Sequence, residues 1–331
     1  MYKRQTYSSN VFVITEDPVQ VAGRPQTMNI AMWTDDVLGS ATCGIDPNYD
    51  YASISLDASI DRNGVLPVAG DPSIGGVTIP DAPATSSIDL DFSVTPGQAV
   101  FSLDTSDVGQ YRLTISDNTN THSDAVITGT SALLTVRPFG IGISGISDTA
   151  TATANPGNNT AGLPIFTAAG NDMTATVSGV LWSSADDTDN DGVLDTGVYS
   201  DNPAAPSYAW DSSLLVSAAG YTPAGGLPGT LNNGLVLEAE FTSGAATITD
   251  LQYTEVGSYT MQSRAQNYLG AAGVDITGDD IVVGRFVPAG FDVLITDDGA
   301  FAETCGAYSY LGQSFDYATA PRITVRALNA L

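Results

Sequence analysis

The chain has 331 residues, 43% hydrophobic and 14% charged, with 37 acidic against 10 basic side chains and a formal net charge of −27. This composition excludes a disordered chain, and the acidic excess excludes nucleic acid as a partner. Without an apolar run of about 18 residues, we expect no transmembrane helix and no membrane insertion. Of the acidic residues only five are Glu. Asp, Gly, Ser, Thr and Asn favour turns over helix interiors, so the composition predicts an all-β fold with two or three domains.

The first five residues, MYKRQ, contain the only lysine, Lys3, and resemble the translation of a sequencing-library adapter. We therefore treat residues 1–11 as an N-terminal tail and expect the natural start, with any signal peptide, to lie upstream. A genuine start codon with a short basic segment is the alternative. The last residues, ITVRALNAL, end within a strand-like pattern, so we expect the natural chain to continue.

Three landmarks recur in the same order at a period near 148 residues. The matched segments are Val21–Trp33 with Ala168–Trp182, Asp107–Ile115 with Glu255–Ser263, and Leu133–Ile143 with Ile281–Val293. Their β-branched residues and alternating polarity are typical of strands. We predict tandem immunoglobulin-like β-sandwich repeats at 12–145 and 146–293, with Ser144–Gly162 as the linker. Residues 294–331 are expected to begin a third β repeat.

In both repeats an acidic residue followed by x-Gly-x-Tyr precedes a strand. This pattern resembles the tyrosine corner of immunoglobulin-like sandwiches, in which the Tyr hydroxyl bonds to upstream backbone. The predicted corner residues are Tyr111 and Tyr259, with Gly109 and Gly257 in the turns before them. Antibody domains have Cys two residues after that Tyr, but Leu and Met stand there in this chain, so we expect packing alone to hold each core.

Two further pairs of residues occupy equivalent places in the repeats: Trp33 with Trp182, and Arg137 with Arg285. We expect the tryptophans to fill the core of an early strand in each sandwich. We expect each arginine to form an ion pair with the acidic residue of its own repeat, Asp107 or Glu255.

The stretch DDTDNDGVLD, residues 186–195, places five Asp within ten positions. Alternating Asp in a tight loop directs carboxylates inward, and Ca²⁺ takes six to eight oxygen ligands. The predicted ligands are Asp187, Asp189, Asp191, the carbonyl of Val193, and Asp195. An EF-hand needs Glu at loop position twelve, where this chain has Val198, and no helical sequence flanks the loop. We therefore predict a short structural calcium loop; a solvated acidic turn without an ion is the alternative.

The remaining reactive residues favour structural roles. The only histidine, His122, lies in a polar loop, and a Ser-His-Asp triad or a zinc site would need it together with further residues. Cys43 and Cys305 are 262 residues apart. Their pairing stays open between a mutual disulfide, partners outside the sequence and free buried thiols. Glu238 and Glu240 are expected on the solvated face of a strand. No residue pattern predicts catalysis.

Three segments together resemble the C-terminal region of MshQ-type proteins: YTEVGSYTMQSRAQNYLG (253–270), VVGRFVPAGFDV (282–293) and CGAYSYLGQSF (305–315). The resemblance spans most of residues 12–331. MshQ-type proteins are encoded with the mannose-sensitive haemagglutinin (MSHA) type IV pilus and carry a domain of unknown function. One departure is Ala289–Gly290, where the family pattern has Asp-His. The resemblance implies a secreted or cell-surface protein of pilus biogenesis, and it implies no catalytic residues.

The sequence thus predicts a non-enzymatic, extracellular or surface-exposed structural module of MSHA-type pilus biogenesis and cell adhesion. Its expected partners are pilus or cell-surface proteins, and its expected cofactor is structural Ca²⁺. Two alternatives stay open. A carbohydrate-binding adhesin domain predicts a shallow aromatic groove with carboxylates or amides. An accessory region of a secreted hydrolase predicts a deep cleft with two carboxylates about 5–10 Å apart.

Overall fold

The computed structural model describes residues 10–35, 37, 42–62, 70–122, 125–158, 160, 162–223, 225–302, 311–312, 314 and 316–331. The predictions for the N-terminal tail before residue 10, for Cys305 and for most of the CGAYSYLGQSF segment lie outside the described residues. Within the described part the regular structure is almost entirely strand, as the composition predicted. The fold class, tandem immunoglobulin-like β-sandwiches, is confirmed.

The strands of the first sandwich are β1 (Asn10–Thr15), β2 (Val19–Val21), β3 (Gln26–Thr34), β4 (Gly44–Ile45), β5 (Ile54–Asp61), β6 (Ser73–Ile74), β7 (Val77–Thr78), β8 (Ser86–Leu90), β9 (Gln98–Asp104), β10 (Gly109–Asp117), β11 (Ile127–Thr130) and β12 (Leu134–Arg137). One sheet has the order β1-β3-β9-β6-β7, with β4 on β3; the other has β2-β12-β10-β5-β8, with β11 on β10. The short β2 joins β12 in parallel.

The second sandwich repeats this arrangement with β13 (Gly140–Asp148), β14 (Thr167–Ala168), β15 (Asp172–Val180), β16 (Ser212–Thr222), β17 (Leu231–Asn232), β18 (Leu235–Val236), β19 (Ala245–Tyr253), β20 (Gly257–Ala265), β21 (Ile276–Thr277) and β22 (Ile281–Val287). Its sheets have the orders β13-β15-β19-β17 and β14-β22-β20-β16-β18, with β21 on β20. Here β14 joins β22 in parallel, as β2 joins β12. Among its described residues, 3-10 turns lie in the connections at Tyr199–Asp201, Glu238–Glu240 and Tyr268–Gly270.

The connection between the sandwiches is shorter than predicted. β13 starts at Gly140 and pairs with β15 over most of its length, so only Pro138 and Phe139 separate it from β12. The prediction that Ser144–Gly162 is the linker is therefore wrong: its first residues belong to β13, and the rest connects β13 to β14. This Gly-, Asn- and Thr-rich stretch resembles a linker because an irregular loop needs the same turn-forming residues.

Alternating burial along the strands builds the core. On β3 the side chains of Met28, Ile30 and Met32 are buried, as are those of Leu113 and Ile115 on β10. Each such side chain contributes about 1.5–3 kcal/mol when it leaves water. In the second sandwich the corresponding strands are β15 and β20, whose inward side chains join the same continuous cluster of buried residues. Packing between sheets therefore stabilises both units.

The tryptophan prediction is wrong in both repeats. Trp33 alternates with the buried Met32 and Thr34 and lies half-exposed on the outer face of β3. Trp182 is also half-exposed and lies beyond the end of β15 at the junction of the sandwiches. The aromatic side chains that are most deeply buried are instead Tyr49, Phe92, Phe139, Tyr208, Tyr253, Tyr259, Tyr268 and Phe286.

The tyrosine-corner geometry does not form among the described residues. Tyr111 and Tyr259 are buried in β10 and β20, but neither hydroxyl has a hydrogen-bond partner there. The ring of Tyr259 stacks on Tyr253 at 4.2 Å between centroids, and burial raises the pKa of Tyr259 well above its usual value. Gly109 and Gly257 both have positive φ, 152° and 100°.

The C-terminal part contains β23 (Gly290–Asp297), β24 (Ala300–Phe301), β25 (Tyr317–Thr319) and β26 (Arg322–Leu328). β23 pairs with β26 in antiparallel, and β24 with β25. The side chain of Asp292 forms an ion pair with Arg326 across the first of these ladders. No helix among the described residues has the length and apolar character needed to span a membrane.

Candidate metal centre at the junction between the sandwiches

Asp187 organises the acidic loop that follows β15. Its carboxylate is buried and accepts hydrogen bonds from Trp182 Nε1 at 2.7 Å, the Gly192 amide at 2.8 Å and the Asp191 amide at 3.1 Å. Burial by itself raises the pKa of Asp187, but the hydrogen bonds from Trp182 and the loop amides outweigh it and lower that pKa. Asp187 is therefore held as a carboxylate inside the loop.

Asp195 closes the loop from its other end. One of its carboxylate oxygens accepts hydrogen bonds from the Thr188 amide at 2.8 Å and the Thr188 hydroxyl at 2.7 Å. These bonds lower the pKa of Asp195. The amide of Asp195 donates to the Asp186 carbonyl at 2.8 Å, so the two ends of the acidic loop are joined by backbone as well as by side chains.

Three carboxylates converge in this loop. Asp187, Asp189 and Asp195 each offer an oxygen, and these oxygens lie within 4.8 Å of one another. Partial desolvation, followed by the charges of Asp191 and Asp195, raises the pKa of Asp189. Like charges at this separation repel, and a cation among them would relieve the repulsion.

One of the predicted carboxylate ligands is placed differently. The carboxylate of Asp191 lies outside the group of three and accepts a hydrogen bond from the Val193 amide at 2.8 Å. Gly192, between them, has φ 86°, a conformation that glycine adopts without strain. Three of the four predicted carboxylates are thus together, while the fourth shapes the turn.

Two arginines of the first sandwich form hydrogen bonds to the acidic loop. Arg24, in the turn between β2 and β3, donates from Nε to the Asn190 side-chain oxygen at 2.9 Å and also bonds the Asn190 carbonyl. Arg137, at the end of β12, donates from Nη2 to the Gly192 carbonyl at 3.0 Å. A side chain added at Gly192 would lie 3.0 Å from a methyl of Val21. The loop therefore lies at the contact between the two sandwiches.

The predicted ion pairs of the repeat arginines do not form among the described residues. Besides Gly192, Arg137 donates to the Pro138 and Phe139 carbonyls at 2.9 and 3.0 Å, and burial lowers its pKa. Asp107 instead accepts the Ser207 amide of the second sandwich at 3.0 Å. At the sandwich junction, carbonyl oxygens take the place of the expected carboxylate because the guanidinium offers five donors in a fixed fork.

The same holds in the second repeat. Arg285 donates to the Leu163 carbonyl at 2.9 Å, and its predicted partner Glu255 accepts the amide of Val256 at 2.9 Å. Both arginines thus bind main-chain oxygens of connecting segments, so their shared position in the repeat reflects the joining of loops to strand ends.

A small apolar cluster completes the junction. It contains Val21, Phe139, Val180 and Tyr199, with Trp182 and Leu194 packed against it. The rings of Phe139 and Tyr199 meet edge to face at 5.1 Å, and the Trp182 amide donates to the Ala22 carbonyl at 2.9 Å. The hydrophobic cluster, the backbone bond and the arginines together hold the acidic loop between the sandwiches.

The other candidates have structural surroundings. His122 accepts or donates a hydrogen bond with Asp46 at 3.1 Å and packs edge-on against Tyr49 at 5.0 Å. Glu238 and Glu240 lie in a 3-10 turn and not in the predicted strand, because Glu240 folds back to accept the Leu237 amide at 2.7 Å. Cys43 is exposed.

Three consecutive family models of one domain of unknown function match the chain. The first, described as "Domain of unknown function (DUF6701), first Ig-like domain", matches residues 4–130; its second domain matches 137–249, and its third matches 255–331. The last boundary falls inside the second sandwich of the structure, since β20 and β22 follow it and pair in the sheet of β16.

No curated protein matches the chain. Among solved structures, the "D0-D1 domain of Intimin" is 12% identical, covering 83% of this chain and 99% of that chain with a TM-score of 0.21. A similarity at that TM-score carries no argument about fold or function. The three family matches together extend over nearly the whole sequence, and the chain belongs to the DUF6701 family.

Proposed function

We propose that this chain is a non-enzymatic surface module of the MSHA pilus system, whose first two sandwiches are held in a fixed arrangement by calcium at their junction. The observation that carries this proposal is the position of the acidic loop. It belongs to the second sandwich, and Arg24 and Arg137 of the first sandwich bind its backbone. An ion that orders this loop would therefore order the joint.

Ca²⁺ fits the donors present. It is a hard ion that prefers carboxylate and carbonyl oxygens, and Asp187, Asp189 and Asp195 supply three converging carboxylates. Asp191 and the carbonyl of Val193 are the further ligands that the sequence pattern offers. Zn²⁺ and copper prefer the nitrogen of His and the sulfur of Cys, and residues 186–195 contain neither His nor Cys.

A structural role is also supported by the surroundings of the histidine. His122 is held by Asp46 and packs against Tyr49 and Tyr51, so its ring contributes to the packing at one end of the first sandwich. A general base needs access to a substrate proton, whereas the His122 side chain is only 13% exposed and is held by these contacts.

The link to the MSHA pilus and to the cell surface rests on the resemblance of the repeat motifs to MshQ-type proteins. It is tested by deleting the coding sequence in the host that carries it and counting surface pili by electron microscopy. We expect fewer or misassembled pili, with recovery when the chain is supplied again. Unchanged pili would overturn the pilus assignment and leave the calcium joint unaffected.

The joint itself is tested by small-angle X-ray scattering in calcium and in chelator. We expect one narrow distance distribution with calcium and a broader one in chelator. Arg24→Ala removes the contact to Asn190 without touching a carboxylate, so it should broaden the distribution even with calcium. Arg112→Ala, on the first sandwich away from the joint, is the matched control. Distributions that coincide in calcium and chelator would overturn the proposal.

A further inference from the structure

A half-open cavity of about 300 Å³ lies on the second sandwich, beside the start of β16. Its wall combines the aromatic ring of Trp210 and the aliphatic side chain of Leu235 with five polar or charged residues, Asp211, Ser213, Glu238, Arg264 and Gln266. Binding sites for small molecules characteristically pair apolar surface with a few fixed polar groups. The acidic loop contributes no residue to this cavity.

The indole of Trp210 is held in one orientation. Its Nε1 donates to the Gln266 carbonyl at 3.0 Å, and its ring meets Tyr268 edge to face at 5.8 Å. Tyr268 is buried and stacks on Tyr208. Trp210 itself is half-buried and borders the cavity, so a rigid aromatic layer supports an accessible indole.

The two acidic residues of the cavity wall are linked to each other. Asp211 accepts the Glu238 amide at 2.8 Å, which ties the 3-10 turn carrying Glu238 to the residue next to Trp210. Glu238 is exposed. An ionised carboxylate accepts hydrogen bonds through both oxygens, so the two carboxylates in the cavity wall are available as acceptors for hydroxyl donors.

The hydrogen-bond donor in the cavity wall, Arg264, is also held in place. Arg264 on β20 forms an ion pair with Asp275, which also accepts the Asn267 amide at 3.0 Å. The Arg264 side chain remains 45% exposed beside the cavity. The guanidinium has five N–H donors, more than one carboxylate uses. The cavity wall therefore holds hydrogen-bond donors and acceptors together with one aromatic and one aliphatic side chain.

From this geometry we infer that the cavity binds a neutral pyranose sugar, as a unit of a surface glycan. A pyranose has an apolar face of C–H groups that fits an indole, and a rim of hydroxyls that both donate and accept hydrogen bonds. Two carboxylates and a net charge of −27 disfavour an acidic ligand. This inference is independent of the calcium joint and of the pilus assignment.

The first sandwich offers a matched control position. The sequence Tyr208-x-Trp210 before β16 corresponds to Tyr49-x-Tyr51 before β5. Tyr51 packs edge-on against His122 at 6.4 Å, as Trp210 packs against Tyr268. Substituting Tyr51 thus removes a comparable aromatic from a comparable place without touching the cavity.

The test is saturation-transfer NMR of the whole chain with methyl glycosides of glucose, galactose, mannose and N-acetylglucosamine, in calcium and in chelator. We expect at least one glycoside to bind with a dissociation constant on the order of 1 mM, as befits a half-open site. Trp210→Ala should weaken that binding roughly ten-fold or more, because the stacking surface is lost. Tyr51→Ala should leave it unchanged.

Glu238→Gln separates loss of binding from loss of folding, because this side chain is exposed and can be changed without disturbing the core. It should weaken binding roughly three- to ten-fold, because an acceptor is replaced by a weaker one, while the melting temperature stays the same. The inference is overturned if no glycoside binds the unmodified chain. It is equally overturned if Trp210→Ala and Glu238→Gln both bind as well as the unmodified chain.

Discussion

Replacing Asp189 by Asn is expected to change stability in opposite directions with and without calcium. The amide keeps the shape of the side chain and the oxygen that accepts the Asp191 amide at 3.2 Å. It removes one charge from the group formed with Asp187 and Asp195. Partial desolvation and, after it, the neighbouring carboxylates raise the pKa of Asp189. The neutral side chain therefore suits the metal-free loop, and in chelator the variant should melt at the same temperature or higher.

With calcium, the unmodified chain should melt at a higher temperature than the Asp189 variant. Short calcium loops of extracellular modules have dissociation constants of about 10⁻⁴–10⁻³ M. At a free concentration about 100 times the dissociation constant, binding to the folded state alone adds about 2.7 kcal/mol to the free energy of unfolding. For a unit of about 150–250 residues this raises the melting temperature by roughly 5–10 °C. The variant, with one ligand charge missing, should gain only a small part of this increase.

The assay is differential scanning calorimetry at pH 7 in calcium, in magnesium and in chelator. Asp250→Asn changes the net charge equally at an exposed position on β19 and is the control; it should respond to calcium as the unmodified chain does. Equal stabilisation of the Asp189 variant and the unmodified chain by calcium would contradict this expectation. So would a melting temperature of the unmodified chain that is the same in calcium and in chelator.

Two further predictions concern the second sandwich. Gly257→Ala should lower the free energy of unfolding in urea by more than about 3 kcal/mol, because its new methyl would lie 1.8 Å from the Thr222 carbonyl oxygen. Gly273 has φ 79° with open space around it, so Gly273→Ala should lower that free energy by only about 1–2 kcal/mol. Burial raises the pKa of Asp148, but hydrogen bonds led by that from Thr167 outweigh it and lower that pKa. This stabilisation is present above about pH 4 and is lost as the pH falls through the lowered pKa. Asp148→Asn should therefore lower the free energy of unfolding by about 1–3 kcal/mol at pH 7. Its melting temperature should also fall less steeply as the pH is lowered; an unchanged dependence of melting temperature on pH would contradict this.

The sequence predicted those features that depend on local pattern. Alternating polarity predicted the strands, and the spacing of Asp187, Asp189 and Asp195 predicted a converging acidic loop, which the structure contains. Where one side chain can form several kinds of interaction, the sequence pattern did not determine which partner it binds. The position of Arg137 suggested an ion pair, yet a strand end at a joint offers carbonyl oxygens to the same donors.

The junction could not be predicted because its contacts join distant parts of the chain. Arg24 and Asn190 are 166 residues apart, and neither residue differs from an ordinary polar loop residue in its local sequence. Trp182 looked like a core aromatic because it ends an alternating strand pattern, but the strand ends at Val180 and the indole lies beyond it. The tyrosine corner failed for a related reason, since the pattern specifies a buried ring and leaves the hydroxyl partner undetermined.

The connection of only Pro138 and Phe139 between β12 and β13 has a mechanical consequence. A pull on the two ends of the chain would pass from one sandwich to the next through this short segment, which has almost no slack to extend. The acidic loop, clamped by Arg24 beside it, would share that tension as a second attachment in parallel. If the acidic loop binds calcium as proposed, the resistance of this joint to bending would rise and fall with the calcium concentration of the surrounding solution.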